Sequence, residues 1–379
     1  MANTLVLIDS EKNHLASDNE TLSDGKLSVT SQSLVGGVRD GVVTVTVTDG
    51  DFSFTVVPTR GMSVHRAEYK GEFIGWDSPV NGPVHPSFVD VGEPSGLGWL
   101  DGFDELLCRC GLESNGAPEH DAETGRLVYP VHGRIGNKPA HTLTASIDGD
   151  EVTLTGITDE IRFHFLKVRL ISEYKMKVGE RGFRLKDTVE NLSAGPAEIQ
   201  LLYHINFGVP LLDAGSSVVA PIKTLVPRND HAASGIDEWN RYGAPEPGFE
   251  EQVYFQELLA DANGDTKTML RNAHGTRGAA LSFNTKQLPC QTTWKNTTAI
   301  ADGYVTGIEP GTNFPNPRSF EGEHGRFTKI AGGGKTEFEL AFEYLVDDRV
   351  NVVESEINQL QVTHQPTIHK SPQDGWCSP

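Results

Sequence analysis

The chain has 379 residues and a formal charge of −20, from 32 Lys and Arg against 52 Asp and Glu. That balance excludes the two partners that require a basic face, nucleic acid and an anionic membrane surface. No apolar run approaches the ~20 residues needed to span a bilayer, and the length allows one large domain or two ordinary ones.

Residues 1–14 hold one short apolar patch, Leu5-Val6-Leu7-Ile8, without the basic start, long apolar run and cleavage site of a secretory leader. A cytoplasmic protein is the expectation. Residues 1–40 read as an N-terminal segment packing on a domain that spans 41–347. Residues 348–379 read as a C-terminal segment that ends in an irregular tail. Cys108, Cys110, Cys290 and Cys377 lack C-x-x-C spacing, so reduced thiols are expected rather than zinc ligands or disulfides.

Alternation at period two dominates the pattern. Val43, Val45 and Val47 alternate with threonines, Asp49-Gly50 offers a turn, and Phe52, Phe54 and Val56 continue the alternation as a hairpin. A second hairpin turns at Asp148-Gly149-Asp150. A third runs from Val168 to Val178, turns at Gly179–Gly182 and resumes through Phe183, Leu185 and Val189. Phe338, Leu340, Phe342 and Tyr344 share one face of a late strand. Short helices are expected only at Asp101–Cys110 and Gln252–Leu259, and residues 227–248 read as a polar surface excursion. Many short strands with turn chemistry and few helical crossovers predict an all-β sandwich or barrel.

Three residues stand out for chemistry. His132 lies in Tyr129-Pro130-Val131-His132-Gly133-Arg134, where a turn or strand end lets a side chain face a cleft. His204 lies in an apolar strand, Ile199 to Val209, where a titratable group has either a buried partner or a pocket. Glu309 follows Tyr304-Val305-Thr306-Gly307-Ile308 and precedes Pro310-Gly311, a strand-end place suited to a general base. Near these motifs are Arg60, Trp99, Asp101, Arg109, Arg134, Lys295 and Arg318. Flat aromatic faces among Asp, Arg and Lys are what a polyhydroxylated ligand requires. Phosphate-loop, dinucleotide and nucleophile-elbow motifs are missing from the sequence, so no cofactor is expected.

The order and context of His132-Gly133, of Tyr203-His204-Ile205-Asn206-Phe207, and of Ile308-Glu309-Pro310-Gly311-Thr312-Asn313-Phe314-Pro315 resemble the aldose 1-epimerase, galactose mutarotase-like superfamily. Arg60-Gly61-Met62, the 102–107 segment Gly-Phe-Asp-Glu-Leu-Leu and Thr293-Trp294-Lys295 resemble a divergent branch of it without an assigned substrate. The resemblance implies a large antiparallel β-supersandwich with a sugar in a cleft over a concave sheet. It implies an isomerase acting at an anomeric carbon, with His204 as general acid, Glu309 as general base and His132 orienting the substrate. It offers Arg109 for the family's arginine before the first histidine, and the Tyr254-Phe255-Gln256 region for its hydroxyl-gripping aspartate. The alternatives are a carbohydrate-binding protein without catalysis, and a metal-dependent sugar isomerase built on His132, His204 and Glu309.

Overall fold

A computed structural model describes residues 3–379, so the first two residues of the N-terminal segment lie outside it. The alternating segments form strands as expected: Val43–Thr48 with Phe52–Val57, Thr142–Asp148 with Glu151–Ile161, and Lys167–Lys177 with Gly182–Asn191. They assemble into one sheet of ten strands and another of fourteen. The sheets stack on a shared core. Phe54 of the larger sheet meets Phe183 of the smaller at 4.8 Å between ring centroids, and Phe183 stacks on Phe342 at 5.2 Å. The fold is the expected all-β, antiparallel supersandwich.

Five neighbouring strands of the larger sheet position the site. In spatial order they are Gln252–Leu258, Cys290–Asn296, Val305–Gly311, Ala197–Phe207 and Leu107–Leu112. On Ala197–Phe207 the odd residues Ile199, Leu201, Tyr203, Ile205 and Phe207 fill the inter-sheet core. The pleat turns Leu202, His204 and Asn206 to the opposite face. There Leu202 joins a second apolar cluster with Trp76, Trp99, Phe103, Cys108, Cys110 and Val305.

Both expected helices are corrected. Residues 98–102 form one short 3-10 turn, and Leu107–Leu112 is a strand with every residue buried. Gln252–Leu258 is likewise a strand of the larger sheet. A helix does occur at Asp348–Gln361, where Val350, Val353 and Ile357 cover Met269, Ala280 and Leu345. The tail beyond it carries a two-residue strand, Thr367–Ile368, and stacks Trp376 on Phe314 at 4.9 Å. The 227–248 excursion is anchored, since Trp239 and Tyr242 enter the main core and Tyr242 Oη bonds Thr306 Oγ1 at 2.6 Å. Among the described residues no helix is long and apolar enough to cross a membrane.

Arg109 ties the two sheets together. Its Nε and Nη2 donate to the Asp187 carboxylate at 2.5 and 2.9 Å, and Tyr203 Oη donates to the same carboxylate at 2.8 Å. All three groups are buried. Arg109→Ala would leave a buried carboxylate without its counter-charge, a loss of about 3–5 kcal/mol readable by urea denaturation.

Candidate active site

Register brings His204 and Glu309 together. Ile205 pairs with Ile308 and Leu202 with Gly311, which sets Glu309 across from His204. The same transverse row continues to Cys108 on one side and Thr292 on the other. His204 Nε2 lies 3.3 Å from Glu309 Oε1. Glu309 sits inside its strand rather than at its end, and is 3% exposed. Gly307 makes room for the pair: a Cβ there would lie 2.4 Å from Glu309 Oε1 and 3.1 Å from His204 Cε1.

The tautomers of both histidines follow from their partners. Asn206 Nδ2 donates to Glu105 O at 2.9 Å, which turns Asn206 Oδ1 to accept from His204 Nδ1 at 2.6 Å. His204 Nε2 therefore carries the exchangeable position facing Glu309. His132 Nδ1 donates to the Asn115 carbonyl at 3.0 Å, and the ring also interacts with the Cys110 side chain. The His132 backbone has φ 55°, a left-handed conformation that costs a non-glycine residue of order 1–3 kcal/mol, and such strain clusters at functional sites.

Aromatic rings close around these groups. Trp99 lies 4.6 Å from His132, Phe103 5.0 Å from His204, and Trp294 5.5 Å from His204, while the two imidazoles are 5.2 Å apart. They line a cavity of about 270 Å³ with Leu97, Leu100, Val131, Val253 and Pro315, and Thr292 and Glu309 stand in its wall. Arg228 and Glu251, paired at 2.9 Å and more than a third exposed, stand at its edge, and Glu251 also accepts from Trp294 Nε1 at 2.7 Å.

Burial sets the charges. It pushes Glu309 up to about 8, opposed by the nearby His132. Burial also holds His204 well below its ordinary range, and the charge of His132 adds to this. On His132 burial favours the neutral ring, yet the Cys110 and Glu309 side chains outweigh it and hold the imidazole up to about 9. The Cys110 thiol, opposed by burial but helped by Cys108 and His132, is drawn down to about 6. The positive charge of the resting site thus sits on His132. The His204–Glu309 pair shares one proton, either as neutral imidazole with carboxylic acid or as imidazolium with carboxylate.

Of the sequence candidates, the structure brings His132, His204, Glu309 and Trp99 into one cavity. The other six do not line it. Arg60 is enclosed by Glu105, Asn137 and the carbonyls of Val84 and Gly102. Arg109 is committed to Asp187. Asp101 is exposed on its 3-10 turn, and Arg134 pairs with Glu113 at 3.1 Å. Arg318 donates to the carbonyls of Glu113 and Glu198. Lys295 points the other way from Trp294, donates to Glu238 O at 2.9 Å and lines a different cavity. The Tyr254 and Gln256 side chains also turn from the site: Tyr254 fills the core and Gln256 donates to Thr293. Among the described residues no three His, Cys, Asp or Glu side chains converge as a metal-ligand set.

Residues 39–344 match the family described as a domain of unknown function, DUF4432. The chain belongs to that family. It is a divergent branch of the galactose mutarotase-like superfamily. A putative aldose 1-epimerase from Klebsiella pneumoniae is 34% identical over 98% of this chain and 99% of its own, with a TM-score of 0.93. A galactose mutarotase-like protein from Clostridium acetobutylicum shares the fold at 15% identity and TM-score 0.61, over 85% of this chain and 100% of its own. Galactose 1-epimerase from Lactobacillus acidophilus does so at 11% and 0.56, over 85% and 99%. No protein of curated function matches the sequence.

Phe103, Asn206, Arg228, Glu251, Thr292 and Trp294 of this DUF4432 chain were not among the sequence candidates. For Thr292 and Trp294 a signal existed. Period two on Cys290–Asn296 puts them on one face and Lys295 on the other, so choosing Lys295 chose the wrong side of the strand.

Proposed function

We propose that this protein is an aldose 1-epimerase-like isomerase, interconverting the anomers of a small reducing sugar by acid/base ring opening and closure. The observation that carries the reading is the 3.3 Å His204–Glu309 contact in a monosaccharide-sized, aromatic-walled cavity. Aromatic faces suit the C–H surfaces of a sugar ring. The names of the Klebsiella and Lactobacillus proteins support the same reaction class.

In the reaction, ionised Glu309 takes the proton of the C1 hydroxyl while His204 Nε2–H protonates the ring oxygen. The C1–O5 bond breaks, the aldehyde forms, and rotation about C1–C2 presents its other face. Closure reverses both transfers. Because the two groups hold one proton between them, substrate binding has only to move that proton from carboxylic acid to imidazole, without taking one from solvent. His132 lends positive charge beside the oxygens. Each positioned group is worth on the order of 10²–10⁴-fold.

Two-dimensional exchange NMR across a panel of reducing sugars tests the proposal, with accelerated anomer exchange expected for at least one. Asn206→Leu is expected to slow that exchange about 10–100-fold by freeing the imidazole tautomer. The loss should appear in kcat rather than KM.

A further inference from the structure

A cationic His132 needs a counter-charge that the reacting pair does not supply. A charge in a largely apolar cavity is costly unless an opposite charge offsets it. His204 and Glu309 hold one proton between them, so the pair is neutral in either form. Arg228 and Glu251, at the cavity edge, offset each other. The Asn115 carbonyl orients Nδ1 but carries no net charge.

Cys110 stands where such a group is wanted. The strand Leu107–Leu112 turns Cys108 and Cys110 into the apolar cluster beside the site. Cys108 pairs with His204 and Cys110 with Leu202, which places Cys110 two residues along from the reacting row. The segment carrying His132 is fastened to this strand. Gly111 N donates to His132 O at 3.1 Å, Arg134 N donates to Gly111 O at 2.9 Å, and Val131 packs on the cluster that holds Cys110. The fit is close, since a Cβ on Gly133 would lie 2.4 Å from Gly111 O. The backbone thus brings His132 to Cys110, and imidazole and thiol interact directly.

Burial favours the neutral form of both groups, yet the contact wins. It helps to hold His132 up to about 9 and, with Cys108, draws Cys110 down to about 6. Burial keeps Cys108 itself a thiol, and Glu105 opposes the thiolate of Cys110. His204 and Glu309 face the imidazole from the neighbouring strands.

Resting on the anomer-exchange reading above, we infer that Cys110 is a positioning residue of this site, holding the His132 imidazole beside His204 and Glu309. It is fully buried and outside the cavity lining, so it acts only through His132.

Two measurements test this. In the wild-type protein, the ultraviolet absorbance of one thiolate should appear as pH rises through about 6, because burial holds the other three thiols up. The second uses Cys110→Ser, whose hydroxyl fills nearly the same space without ionising near neutrality. By NMR of the imidazole, the His132 midpoint should fall in that variant from about 9 to 6.5 or below. Its kcat for anomer exchange should fall about tenfold with KM little changed. Cys290→Ser, at a buried thiol of another cluster, should alter neither. No thiolate signal at neutral pH overturns the inference whether or not the variant folds. A His132 midpoint that stays near 9, or an unchanged kcat, makes Cys110 a packing residue and leaves the acid/base reading standing. No acceleration of any sugar by the wild-type protein overturns both.

Discussion

Glu309→Gln is expected to abolish most anomer exchange, by at least ~100-fold, while making the protein more stable above neutral pH. Both effects have one cause. The carboxyl is 3% exposed, and burial pushes it up to about 8 from an ordinary 4.5. The folded state therefore holds this proton more tightly than the unfolded chain does. The stability so gained is complete below pH 4.5 and is lost as pH rises through about 8. An amide cannot ionise and escapes that loss. Melting curves of the two proteins should nearly coincide at pH 4.5 and diverge towards pH 8. There the variant should lead by on the order of 2–3 kcal/mol, allowing for the nearby His132 charge. An acid–base group retained at a stability cost is what a functional carboxyl predicts. A Glu309→Gln variant of unchanged rate would refute the assignment of the base.

Much of the architecture was legible because half-buried strands alternate. Val43, Val45 and Val47, or Phe338, Leu340 and Phe342, announce a face at period two. The same rule explains both misplaced helices. Leu107–Leu112 is buried along its whole length and Gln252–Leu258 along most of it, between the inter-sheet core and the layer that covers the site. With both faces covered, the polar/apolar contrast vanishes and a strand cannot be told from a buried helix by pattern. The histidines and Glu309 could be picked out because polar groups in apolar or glycine-proline surroundings are costly or special. The arginines could not be sorted that way. Nothing local to Arg109 reveals that its partner is Asp187, on the opposite sheet, or that Arg60 will close on Glu105. Ion pairs between residues distant in sequence are properties of the assembled sheets. Likewise, the contact that matters most, His204 with Glu309, depends on a register that only the assembled sheet sets.

That register explains why a small glycine should matter as much as the acid itself. Gly307 stands two residues before Glu309, on the same face of Val305–Gly311. Gly307→Ala would place a methyl 2.4 Å from Glu309 Oε1 and 3.1 Å from His204 Cε1. The carboxylate would have to swing away, since the imidazole is held at Nδ1 by Asn206 and flanked by Phe103 and Trp294. A displacement of about 1 Å between reacting groups can cost on the order of 10²-fold, and a loss of that size in anomer exchange is expected. The backbone has no reason to fail, because Gly307 pairs regularly with Asn206 and Trp294 and does not need the left-handed region. Thermal melting should move by only a few degrees, and sugar affinity should fall far less than turnover. If Gly307→Ala exchanges anomers at the wild-type rate, the His204–Glu309 contact is not the place where the proton moves.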